Sequence, residues 1–316
     1  MIVSTIIFLM ISGWPQPSAA QTCSFSNSGL EFGTLNISNG TRVRTSGTFT
    51  ATCSGSPKTK VRVCINIGSG TGNVGPSGDP RYMTQGANLL NFNIFKNSNY
   101  TKIWGSHLWP YSPTSNAIIV KLNSSGNGSK SVPIRGEIYS SQSGTPPGSY
   151  SSSFAGGHTL VSYAYSWYRS CNSISQYGGV QVPFNVHANI VSACTVEASN
   201  LNFGSVGVLS SNIDANNTIS VNCSNGTPYT IGLDGGLSGT SNPTMRQMTS
   251  GVSTINYGIY QNSARSTPWG NATGTDTISS VGDGTTQNYT AFGRVQIQST
   301  PPPGTYTDTI IVTMTY

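Results

Sequence analysis

Charge is what this sequence has least of. Only 8% of its 316 residues are Asp, Glu, Lys or Arg, against about 25% in an ordinary soluble domain. A disordered chain is usually rich in charge and poor in aromatics. This one keeps 15 Tyr, 10 Phe and 5 Trp, so a packed structure is expected. Acids are scarcest where a catalytic pair would need them: residues 21–190 hold only Glu31, Asp79 and Glu137. There is no nucleophile elbow and no Cys-x-x-Cys pair, and His107, His158 and His187 do not sit beside cysteines. Neither an enzyme nor a metal or cofactor site is expected. No nucleic-acid recognition motif is present. No 11-residue window carries convincing helical spacing, and past residue 20 no apolar run approaches a membrane span. Gly, Ser, Thr and Asn fill the chain instead, which suits short strands joined by polar turns.

Residues 1–20 read as a signal peptide. Ile2 to Ile11 is an apolar run, Pro15 and Pro17 follow it, and Ser18, Ala19 and Ala20 precede a cleavage point at Gln21. The expected n-region Lys or Arg is missing. Six cysteines follow: Cys23, Cys53, Cys64, Cys171, Cys194 and Cys223. An even count after an export signal points to disulfides in an oxidising compartment.

One pattern occurs twice. Cys23 stands nine positions before Phe32 in "LEFGTL", and Cys194 nine before Phe203 in "LNFGSV". "LNFNIFKNSNYTKIWG" (90–105) matches "INYGIYQNSARSTPWG" (255–270), and "TPPGSYSSSF" (145–154) matches "PPPGTYTDTI" (301–310). Order and spacing both recur, so two homologous domains are expected, 21–190 and 191–316. Pairing within repeats gives Cys23–Cys53 and Cys194–Cys223 and leaves Cys64 with Cys171, although spacing alone does not fix connectivity.

The elements read as strands of an all-β fold, two tandem immunoglobulin-like sandwiches. In "TKVRVCINI" (59–67) Val61, Val63 and Ile65 alternate with Lys60, Arg62 and Cys64, so one face can be buried. Each repeat supplies about six strands, A to F. The second repeat ends with strand F at Tyr316, so its seventh strand is expected to be missing, which leaves an open groove and unpaired edges. The first repeat continues into "GVQVPFNVHANI" (179–190), where Val180, Val182, Phe184, Val186, Ala188 and Ile190 alternate with polar residues and Pro183. That segment reads as the first domain's own strand G, running on as the linker. A mature chain starting at Gln21 would carry no extension to donate. Such a subunit accepts a strand, gives none and ends a filament.

The opening Cys with "LNFGSVGVL", then "VNCSNGTPYTIGL", "INYGIYQN…PWG" and the closing "PPPGTYTDTIIVTMTY" resemble the spore coat protein U domain family. The resemblance covers nearly all of the second repeat and, more loosely, the first. It implies an archaic chaperone–usher pilus subunit whose incomplete fold is completed by a neighbour's strand. Two-domain members are similar to tip adhesins that bind through apolar distal loops. The partners implied are a periplasmic chaperone, an outer-membrane usher, an adjacent pilin's donor strand, and an abiotic or host surface. The protein would travel through the periplasm to the pilus tip.

If successive strands are antiparallel, the B–C, D–E and F–G connections share the end distal from the second domain. Two such segments are rich in aromatics. The one taken as D–E, 100–112, holds Ile103, Trp104, Leu108, Trp109 and Tyr111, and the F–G segment, 166–179, holds Trp167, Tyr168 and Tyr177. These eight are the candidate binding residues, because exposed aromatics are costly unless they meet a partner. Trp104 aligns with Trp269 and reads first as structural. Leu108, Trp109 and Tyr111 have no counterpart in the second repeat and are the stronger candidates. Trp167 and Tyr168, which extend strand F, read equally as core. Residues 21–190 carry net charge +9 and residues 191–316 carry −3, so an anionic surface would be drawn to the first domain. Arg42 with Arg44, and Lys58, Lys60 and Arg62, occupy alternating positions and should each share a solvent face. A structural pilus or coat subunit and a free secreted lectin stay open as alternatives.

Overall fold

Two-residue alternation of apolar and polar side chains produces nearly all the regular structure. The computed structural model describes residues 21–37, 40–112, 114–175 and 179–316. The expected signal peptide, 1–20, lies outside the described residues. In the first unit the strands are β1 (Thr22–Asn27), β2 (Leu30–Leu35), β3 (Val43–Ser54), β4 (Lys60–Ile65), β5 (Arg81–Gln85), β6 (Asn88–Phe95), β7 (Asn116–Lys121), β8 (Asn127–Ile138), β9 (Gly148–Phe154), β10 (Leu160–Ala164), β11 (Val180–Gln181) and β12 (Phe184–Ile190). A short helix α1 (Cys171–Ser175) precedes β11. The second unit has β13 (Cys194–Ala198), β14 (Ile213–Cys223), β15 (Pro228–Leu233), β16 (Arg246–Ser250), β17 (Ser253–Tyr260), β18 (Ile278–Val281), β19 (Thr286–Val295) and β20 (Val312–Thr315).

Each unit packs two sheets around one core. The first unit has an eight-stranded sheet, β1-β3-β8-β6-β5-β9-β12-β2, over a four-stranded sheet, β11-β10-β4-β7. The second has β13-β14-β19-β17-β16 over β18-β15-β20. The fold is therefore all-β, with two tandem sandwiches. Val61, Val63 and Ile65 of β4 are buried, as their alternation requires.

Strand β12 completes the first core. It runs antiparallel to β9, with Phe184 opposite Phe154 and Ile190 opposite Gly148. On its other side it runs parallel to β2, with Val186 opposite Leu30. Val182, Phe184, Val186, Ala188 and Ile190 all point inward and are buried. The Phe184 ring stacks on Phe154 with centroids 4.6 Å apart. Outward Pro183 lies between β11 and β12, where no ladder hydrogen bond is lost.

The second unit repeats this frame with a difference. In the first, Leu30 and Phe32 of β2 press on Gly136, where an added Cβ would meet their side chains at 2.9 Å. Leu201 and Phe203 take the same seat on Gly293. Yet 201–206 forms no strand, and 304–310, the counterpart of β9, keeps only the isolated bridge from Thr307 to Thr249. Among the described residues none stands between these two segments. Leu30 is 1% exposed, whereas Leu201 and Phe203 are half-buried. Val206, Val208 and Ile311 are exposed.

Phe184→Ala removes a stacked ring from the first core and should lower that unit's stability by about 3 kcal/mol or more. Urea unfolding checks this. A loss below about 1 kcal/mol would mean that β12 is not part of the core.

Candidate functional site

Strand direction decides which loops can meet a distant surface. β12 runs toward the second unit, and β9 runs antiparallel to it. β10 continues β9 after one short turn and pairs antiparallel with β4, Ala164 opposite Arg62. The end of β10 and the start of β4 thus lie away from the second unit. Three connections meet there: 55–59, 122–126 and 165–170. The amides of Gly55 and Lys58 donate to the carbonyls of Gly126 and Asn123 at 2.9 and 3.0 Å, and Tyr165 Oη donates to the Thr22 carbonyl at 2.9 Å.

Trp167 and Tyr168 stand at this free end and are 51% and 77% exposed. Their loop is held from below. The Arg62 Nε donates to the Trp167 carbonyl at 2.7 Å, and the Lys60 ammonium lies 4.9 Å from the Trp167 ring centre. Cys171, at the start of α1, is bonded to Cys64 of β4. With Ile174 these two cysteines form a small separate core on the outer face of the sheet. The other bonds are Cys23–Cys53 and Cys194–Cys223. Tyr177 lies outside the described residues.

The other aromatic segment is elsewhere. β6 and β7 do not form a hairpin. Both run antiparallel to strands, β8 and β4, that lead away from the free end, so 96–115 crosses from one sheet to the other on the flank. It meets β4 at Ile65, the opposite end from Lys60, a separation of about 17 Å along the strand. The expected convergence of the two aromatic segments at the distal end therefore fails. The true distal hairpin is 122–126, and it contains no aromatic residue.

Trp104 is fully buried, and its Nε1 donates to the Ile65 carbonyl at 2.9 Å. It is a core residue and leaves the set of binding candidates. Trp269 does the same in the second unit, donating to Ile231 at 3.0 Å. Leu108 is exposed, but Trp109 and Tyr111 are half-buried. Tyr111 packs over Gly78, and the Trp109 ring lies 4.8 Å from the guanidinium of Arg81.

Arg81 was not singled out by the sequence, although "RYMTQG" (81–86) and "RQMTSG" (246–251) repeat in register. Its Nε and Nη2 donate to the carbonyls of Gly68, Ile67 and Trp104 at 2.7 to 2.8 Å, and its Nη1 donates to Asn93 Oδ1. Burial pushes the guanidinium down to about 9, still charged at neutral pH. Arg246 makes the same contacts with Leu233, Asp234 and Trp269 at 2.7 to 2.9 Å. The Trp109 ring is thus a lid on a structural cation.

Ile103 lines a flank cavity of about 430 Å³, beside Tyr100, Asp79 and Glu137. Both carboxylates are engaged. Glu137 accepts from Arg42 at 3.0 Å and Arg44 at 2.7 Å, and Asp79 accepts from Asn93 and Tyr139. Burial, then the bond to Asp79, raises the Tyr139 phenol above its usual range. Arg42 and Arg44 do share a solvent face, 58% and 52% exposed, and the one buried carboxylate of Glu137 offsets one of their two charges. Among the described residues no group of three or more His, Cys, Asp or Glu could hold a metal ion.

If the Cys64–Cys171 bond pins the tip loop, Cys64→Ser with Cys171→Ser should cost up to about 4 kcal/mol, given the 107-residue separation. Limited proteolysis should then cut within 165–179 well before it cuts the sheets. Unchanged protection would show that Arg62 alone holds the loop.

The Spore Coat Protein U domain model matches residues 14–156 and 180–313. A chain of the chaperone–tip adhesion subunit complex of archaic chaperone–usher Csu pili from Acinetobacter baumannii has a similar fold, with TM-score 0.54, 20% identity, and coverage of 93% of this chain and 100% of that one. The CupB6 tip adhesin of Pseudomonas aeruginosa aligns at TM-score 0.43 and 15% identity over 94% of this chain and 95% of its own. A search of curated protein sequences finds no match. With both repeats matched, this chain belongs to the Spore Coat Protein U domain family.

Proposed function

We propose that this protein is the tip adhesin of an archaic chaperone–usher pilus, mediating attachment to surfaces and biofilm formation. The unit at 21–190 meets the surface, and the unit at 191–316 joins the fibre. A periplasmic chaperone would hold the second unit open, an outer-membrane usher would export it, and an adjacent pilin would supply its seventh strand.

One observation carries this reading. The first unit places β12 between β2 and β9, and the second unit has the matching segments, 201–206 and 304–310, with no strand between them among the described residues. The half-buried Leu201 and Phe203 and the exposed Val206 and Ile311 mark where an incoming strand gains apolar contact, about 25 cal/mol for each Å² covered. By analogy with β12 it would run parallel to 201–206 and antiparallel to 304–310, with apolar residues at alternate positions. A fold shared with a tip adhesion subunit supports the assignment. Surface contact falls to the free end, at Trp167 and Tyr168, rather than to the flank residues Leu108, Trp109 and Tyr111.

Unfolding of the purified protein with and without a synthetic donor-strand peptide tests the acceptor role. The second unit should gain about 2.7 kcal/mol when the peptide stands 100-fold above its Kd, with the first unit unmoved. Two stable units indifferent to the peptide would make the protein a free secreted lectin. Trp167→Ala with Tyr168→Ala should remove adhesion of pilus-bearing cells while pili still assemble. Full adhesion by that variant would place the contact elsewhere.

A further inference from the structure

The free end of the first unit is a patch of cations with no acid to answer them. Register sets Lys60 directly opposite Lys121, a like-charge pair that costs stability unless something offsets it. Lys58 sits on the neighbouring turn and Arg169 on the tip loop, and all four are exposed. None of them is in an ion pair among the described residues. The unit's three acids are committed away from this end: Glu31 beside His187, Asp79 to Asn93 and Tyr139, Glu137 to Arg42 and Arg44.

Between the cations stand two exposed rings. Trp167 and Tyr168 lie 6.5 Å apart with planes at 80°, so they offer two separate faces rather than one continuous platform. That geometry does not suit a run of stacked bases. Nor does it suit a bilayer, which would need apolar side chains to insert. The neighbours of these rings, Ser166, Arg169 and Ser170, are polar. A sugar ring needs one aromatic face for its C–H side, and an acidic sugar also needs a cation within reach.

We propose that this end binds acidic polysaccharide, a pyranose stacking on Trp167 or Tyr168 and its carboxylate or sulfate lying among Lys58, Lys60, Lys121 and Arg169. The proposal deepens the adhesin reading and rests on it for the setting, while the binding chemistry stands on the patch itself. The loop is ordered in advance by the Arg62 bond and the Cys64–Cys171 bridge, which lowers the ordering cost on binding. Charge makes the attraction strong at low salt, and the rings give a part that salt does not screen.

The test is binding of the whole secreted chain to immobilised polygalacturonate and dextran sulfate. Neutral dextran, phosphatidylglycerol vesicles and duplex DNA serve as comparisons. Both acidic polymers should bind and neutral dextran should not. Lys58→Gln with Lys121→Gln should weaken binding about tenfold and flatten its salt dependence, with thermal unfolding unchanged. Trp167→Ala should weaken binding at high salt as well. Equal binding to neutral dextran, equal or tighter binding to vesicles or DNA, or undiminished binding by the charge variant would overturn the proposal. The assay uses no pilus and no donor peptide, so its outcome is separate from that of strand acceptance.

Discussion

Everything in the first unit hangs on one strand passing between two others. β12 fills the gap between β2 and β9 and buries four alternate side chains. It covers the core from the side and takes up the backbone groups of two neighbours that would otherwise be unpaired. Because it runs toward the second unit, it also fixes which end of the first unit faces outward. The linker and the core are the same segment, so the orientation of the exposed loops follows from how the core is closed.

A second device is common to both units. Arg81 and Arg246 are buried guanidiniums that each bond to two adjacent backbone carbonyls and to the carbonyl of the buried Trp104 or Trp269. Trp104 and Trp269 lie beside them and bond to a strand carbonyl. A buried cation is costly unless its donors are all engaged. In the first unit the bonds to Ile67, Gly68 and Trp104 tie down irregular backbone that leaves the sheets, and so the long crossover between β6 and β7 is held without regular structure. In a chain with so few charges, two of the fifteen Lys and Arg residues are spent on this task.

The remaining charge is divided by place. Arg42 and Arg44 close on the buried Glu137, while Lys58, Lys60 and Lys121 stay open at the free end. Composition gives the first unit a net positive charge, but pairing decides where that charge can be felt. The tip loop adds its rings to the open part and is tied there by Cys171.

The sequence by itself determined the β class and the repeat, because each is written in local periodicity and spacing, while the cysteine pairing was settled only by the fold. Val61, Val63 and Ile65 alternate whatever their neighbours do, and so does the run from Val180 to Ile190. The candidate surface was legible only in part. The repeat marks Trp104 as structural through Trp269, and both are buried, but nothing in the sequence separates exposed Trp167 from half-buried Trp109. The deciding fact is strand direction. Placing 100–112 at the distal end needs antiparallel strands on either side, but 96–115 joins two strands heading the same way, and that moves Leu108, Trp109 and Tyr111 to the flank. That Arg42 and Arg44 meet a carboxylate likewise depends on Glu137, more than ninety residues away. Register between distant strands carries this information, and a one-dimensional pattern does not contain it.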